Sequence, residues 1–177
     1  MRFLTLLLFI ALPVIAQDKP TPTETAFFAQ YPAKHVPLPA VKPKAIIHKG
    51  DGTFRTRLRR IVDGQPNFAD HMRLEVWGCG TGCTIIGIAN LTSGSTYLYP
   101  KSLSAEAGRR LLVDPKSRAV HMVGFFNEEE AADRWYVWNG AGLKLVKDVP
   151  LPHECFSGEK VELLPTAKCN FQPPESE

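Results

Sequence analysis

Hydrophobic and polar positions divide the chain into three stretches. Phe3 to Ile15 is almost continuously apolar, broken only by Thr5 and Pro13. Residues 17–43 are polar and interrupted by Pro20, Pro22, Pro32, Pro37, Pro39 and Pro43. From residue 44 onward apolar side chains recur at alternate positions, the period of a half-buried strand. The alternation predicts strands near 44–48, 54–62, 71–77, 83–90, 95–99, 110–113, 118–126, 133–138 and 143–147. Turn residues separate them: Gly50-Asp51-Gly52, Thr92-Ser93-Gly94, Asp114-Pro115-Lys116-Ser117 and Asn139-Gly140, the last a hairpin signal. The unbroken apolar run 84–89 predicts a central strand buried on both faces, and Ser102 to Gly108 a single helical turn. Closely spaced short strands without a long amphipathic helix imply an all-β domain, a mostly antiparallel sheet arranged as a barrel or sandwich. It is expected to span residues 44–170, with a tail at 171–177.

The first stretch reads as an address. Met1-Arg2 supplies a positive start, and Val14-Ile15-Ala16 ends in the small-x-small manner of a signal-peptide cleavage site. Residues 1–16 are therefore expected to be a signal peptide cut between Ala16 and Gln17. A membrane span needs about 20 apolar residues, more than this run offers. Export follows, with the bacterial periplasm as destination and no membrane span after cleavage.

Proline density makes residues 17–43 an extended arm with room for one short helix. Thr21 is its expected N-cap, Pro22 its first residue and Glu24 the third, ahead of Ala26-Phe27-Phe28-Ala29. Phe27, Phe28 and Tyr31 are available to dock it.

The whole chain has 177 residues, 44% hydrophobic and 22% charged, which fits a single globular domain and a monomer. Its net charge of +3 is too small to indicate nucleic-acid binding. Export gives the four cysteines a meaning: Cys79, Cys83, Cys155 and Cys169 are expected to pair locally, as Cys79–Cys83 and Cys155–Cys169. Gly78, Gly80 and Gly82 would let the first pair clamp a tight turn.

Candidate chemistry is sparse. Read as a strand, 54–62 puts Arg55, Arg57 and Arg59 on one face and Arg60 on the other. His71, Arg73 and Glu75 share a face of the next strand. Together Arg55, Arg57, Arg59, His71 and Arg73 would form a cationic surface for an anionic ligand, because guanidinium groups bond carboxylates and phosphates in a fork. The run Glu128-Glu129-Glu130 with Asp133 reads as a solvated loop. A redox-active Cys79/Cys83 pair is disfavoured by its three-residue spacing and β-rich sequel. A Cys79 nucleophile served by His71 and Asn67 is disfavoured because eight strand residues hold His71 about 25 Å away. His71-Met72 and His121-Met122 are copper-type residues, but neighbours on a strand point to opposite faces and cannot chelate. Trp135, Tyr136 and Trp138 suit a core or hairpin role. No cofactor or metal is expected.

Asn67-Phe68-Ala69-Asp70-His71 followed by Trp77-Gly78-Cys79-Gly80-Thr81-Gly82-Cys83 resembles a family of small exported bacterial proteins of unknown function. That family's pattern is Asn-Phe-Ala-Gly-His, then Trp-Gly-Cys-Gly-Thr-x-Cys, so this chain has Asp70 in place of glycine. The resemblance implies export and the Cys79–Cys83 clamp, and no activity. A weaker similarity links the clamped loop to periplasmic lysozyme inhibitors of the Ivy type, whose Cys-Lys-Pro-His-Asp-Cys loop carries a histidine lacking here. The expected function is a non-enzymatic binding or inhibitor module that engages a protein or anionic ligand of the cell envelope. The alternatives are an enzyme with a site assembled across strands, or a structural envelope-interaction protein.

Overall fold

The computed structural model describes residues 19–104 and 110–152, and the backbone of 156–157 and 162–163. The expected leader, the expected Cys155–Cys169 pairing and the tail lie outside the described residues. So does most of the segment 102–108, whose described part is in strand form at Leu103–Ser104.

The strands are β1 (Met72–Gly80), β2 (Cys83–Asn90), β3 (Thr96–Leu98), β4 (Leu103–Ser104), β5 (Arg110–Val113), β6 (Ala119–Phe126), β7 (Glu130–Trp138) and β8 (Leu143–Pro150). They form one antiparallel sheet in the order β1-β2-β4-β6-β7-β8, with β3 beside β2 and β5 beside β6. A separate pair joins β9 (Phe156–Ser157) to β10 (Glu162–Leu163). The large sheet does not close on itself. One of its faces holds the main core, where Met72, Leu74, Ile86 and Ile88 meet Val120, Met122, Phe126 and Tyr136 in a single cluster. Tyr99 and Tyr136 share a hydroxyl hydrogen bond inside it. Among the described residues no helix is long and apolar enough to cross a membrane.

Two short helices cover the other face. Helix α1 (Pro22–Gln30) starts as its sequence predicts, with Thr21 and Glu24 closing a reciprocal capping box. Phe27 packs edge-on against Trp135 at 4.6 Å and joins Phe28, Leu112, Ala119 and Val137 in a second cluster. The arm is thus partly a layer of the domain rather than a free extension.

The second helix overturns an expected strand. Residues Arg55–Ile61 form α2, entered through a 3-10 turn at Asp51–Phe54. The physical reason is visible in the residues. Phe54, Leu58, Ile61 and Val62 recur at helical spacing, and the arginines and leucine between them are good helix formers with no β-branched run. These apolar residues meet Trp77, Ala89 and Leu91 of the sheet. Trp77 lies across Gly87, where an added Cβ would stand 2.1 Å from its ring. Residues 44–48 are likewise no strand: only Ile46 bridges, in parallel, to Ser95.

The edge of β1 is met by side chain and turn. Asn67 accepts from the Leu74 amide at 2.8 Å and donates to the Leu74 carbonyl at 2.9 Å. Phe68 and Met72 exchange backbone bonds just before it.

Candidate functional site

The change from strand to helix redraws the expected cationic surface. At 100° per residue, Arg55 and Arg59 stand about 40° apart, Arg57 falls on the far flank, and Arg60 joins them on the outer side. Leu58 and Ile61 are fully buried, whereas Arg55, Arg57, Arg59 and Arg60 are all exposed. None of the four has a carboxylate partner among the described residues. Arg59 and Arg60 occupy the last turn, where the helix dipole favours positive charge.

The preceding segment extends this surface. Lys42 donates to the Asp63 carbonyl just beyond α2. Ala45 and Ile47 pack against the Leu58–Trp77 cluster, so the alternate residues Lys44, Ile46 and His48 face outward and are exposed. Between positions 42 and 60 there are seven lysines and arginines and one acid, Asp51.

His71 and Arg73 do not add free charge to it. Arg73 pairs with Glu75 at 2.6 Å and donates to the Gln65 carbonyl at 2.8 Å. Glu75 also accepts from the Trp77 indole. His71 is partly buried with no partner for Nδ1, and burial lowers its pKa against the opposing pull of Asp70. Both are internal fittings of the 64–77 region.

The Asn67–His71 motif is a tight turn with Ala69 at φ 47° and Asp70 at φ 69°. A left-handed angle of this kind is one that glycine adopts most readily. Here the aspartate uses its side chain: it accepts from the Val36 amide at 2.7 Å and bonds His35 at 3.1 Å. The Val36 bond, then His35, holds its carboxyl below the usual range.

Cys79 and Cys83 are bridged across the β1–β2 hairpin, with Cα atoms 5.5 Å apart. Gly80 pairs with Cys83, leaving Thr81 and Gly82 as the tip, with Thr81 exposed and Gly82 half-buried. Gly80 (φ 143°) and Gly82 (φ 71°) adopt angles that suit glycine, while Gly78 does not. The bridge sits on strands and not at the helix start that redox-active cysteine pairs use. Asn67, offered above as a nucleophile's partner, is committed to Leu74.

A buried charged network escaped the sequence reading. The His121 ring is fully buried, and its Nδ1 meets Glu24 and its Nε2 meets Asp133, each at 2.7 Å. Arg110 forks onto the two Glu24 oxygens at 2.8 and 2.7 Å. Trp135 stacks on the imidazole at 3.7 Å. Asp133 is 1% exposed and Glu130 opens β7, paired with Lys101 and Arg134 at 2.6 Å each, so only Glu128 and Glu129 fit the solvated-loop reading. Burial pushes the Glu24 carboxyl up, but bonds from His121, Arg110 and Thr21 outweigh it and hold the pKa at about 2. Burial likewise opposes the charged form of His121, yet the two carboxylates raise its pKa. With both ring nitrogens taken, the imidazole has no lone pair for a metal. Met122 points into the opposite, main core. Among the described residues no group of three or more His, Cys, Asp or Glu is arranged to hold a metal ion.

No family model, curated protein or solved structure matches the chain.

Two cavities lie elsewhere. One, of about 320 Å³, is lined by Lys19, Phe28 and the β5 end at Leu111–Pro115. The other, of about 360 Å³, lies between His48, Asn90, Tyr97 and Trp138. Tyr136 and Trp138 do share a face, but it is the core face: Tyr136 is buried and Trp138 packs edge-on to Tyr97.

Proposed function

We propose that the protein is an exported, non-enzymatic binding module that engages an acidic partner through the outer face of α2. The observation that carries this reading is the helix itself. Four of its seven residues are arginines, all exposed and without carboxylate partners among the described residues. Helix formation brings Arg60 into the set, so the surface is denser than the strand reading implied. The apolar leader at residues 3–15 and the Asn67–Cys83 motif support export. The Glu24–His121–Asp133 cluster is sealed from solvent, whereas the basic face is open to a ligand. The clamped 79–83 tip offers a second rigid element that would lose little freedom on binding.

Retention on immobilised heparin tests the reading. Replacing Arg55, Arg57, Arg59 and Arg60 by serine should lower the salt needed for elution well below that of a control in which the exposed Lys19, Lys34, Lys116 and Lys144 are replaced. Screening makes such attraction salt-sensitive, with a range of about 8 Å at physiological ionic strength. Equal elution of the two variants would show that net charge, and not this face, governs binding.

A further inference from the structure

The basic face carries apolar residues where a solvated surface has little use for them. Five large hydrophobic side chains are exposed among the described residues: Leu38 at 46%, Val41 at 81%, Ile46 at 54%, Leu145 and Val146. Three of the five lie in residues 38–46, interleaved with Lys42 and Lys44. The Lys42 bond to Asp63 fixes Val41 beside the end of α2. Backbone bonds from Ile46 to Gly94 and from Thr96 to Ile46 hold Ile46 outward. Pro37, Pro39 and Pro43 keep the segment extended, so it does not fold its apolar side chains inward as a helix would. Neither the cavity beside Lys19 nor the one beside His48 is lined by an arginine of α2.

Cations ringed around protruding aliphatic side chains suit a boundary that is anionic at its surface and apolar just beneath. We infer that this face docks peripherally on an anionic phospholipid surface, with Val41 and Ile46 entering the headgroup region and the α2 arginines meeting the phosphates. The inference rests on the basic-face reading and names its partner.

Sedimentation with phosphatidylcholine vesicles, with and without phosphatidylglycerol, tests it. The protein should bind only vesicles containing the anionic lipid, and added salt should release it. Each basic residue near such a surface contributes about fivefold, so the four-arginine variant should lose about 600-fold in partitioning. Val41→Ser with Ile46→Ser removes exposed apolar surface alone. It should weaken vesicle binding about tenfold while leaving heparin elution unchanged. Retention on heparin without binding to the anionic vesicles would overturn lipid docking and leave the acidic-partner reading standing. Unchanged vesicle affinity in the serine pair would also overturn it. Failure on both heparin and vesicles would remove both readings.

Discussion

His121 and Glu24 lie 97 positions apart in the chain and 2.7 Å apart in the fold. Their contact fastens α1 to β6, and Asp133 and Arg110 complete it from β7 and β5. A buried imidazolium between two carboxylates is tolerable only because each charge meets an opposite one.

The network gives stability a defined pH dependence. His121 has its pKa raised above the ordinary 6.5, so its contribution is complete below about 6.5 and fades as pH climbs through the higher folded value. Glu24 is lowered from 4.5 to about 2, so its contribution is complete above about 4.5 and fades as pH falls toward about 2. Denaturant midpoints recorded across pH should therefore be highest between these limits. In a His121→Phe protein the alkaline decline should disappear; its persistence would place the titrating group elsewhere.

Removing one partner should be severe. Glu24→Gln leaves His121 and Arg110 with their charge poorly matched in a buried site, a loss of about 3–5 kcal/mol. Hydrogen exchange should show the amides of α1 losing protection first, since Phe27 and Phe28 provide its other main hold on the sheet. Uniform loss across all strands would mean that α1 is not separately latched.

Gly87→Ala places a methyl group within the Trp77 ring. Overpacking of this kind destabilises by about 1–3 kcal/mol. Repeating the substitution in a Trp77→Leu background should shrink the loss, because the obstructing ring is gone. An undiminished effect in that double-mutant cycle would locate the strain in the backbone of β2.

Peptide mapping without reduction should recover Cys79 joined to Cys83. In the chain-entropy model a five-residue loop is stabilised by about 2 kcal/mol when bridged. Replacing both cysteines by serine should lower stability by about that amount and leave the arginine face functional. The same map tests the Cys155–Cys169 pairing; either late cysteine joined to Cys79 or Cys83 would overturn both local pairs.

What the sequence reveals here is local. The α1 capping box is legible because Thr21, Pro22 and Glu24 stand within four residues. β2 is legible because its apolar run has only one sensible reading. The segment 54–62 misleads because Arg55, Arg57 and Arg59 also satisfy period two, and the helical recurrence of Phe54, Leu58 and Ile61 beneath it decides the outcome. Exposure of the arginines is common to both readings, which is why the surface survives while its geometry changes. Asp133 could not be assigned from its acidic neighbours, because its burial depends on His121, and Glu24 comes from the opposite end of the domain.

An unclosed sheet has two rims on which a stray chain could grow. On β1 the Asn67 amide occupies both backbone groups of Leu74, and the Phe68–Met72 exchange fills the place before it. On β8 exposed Lys144 and the terminal Pro150 stand on the outermost strand. Lysine and proline discourage a further strand from adding there. Crowded among other chains, such a molecule resists being copied edge to edge into a fibre, and Asn67→Ala is the change that would reopen one rim.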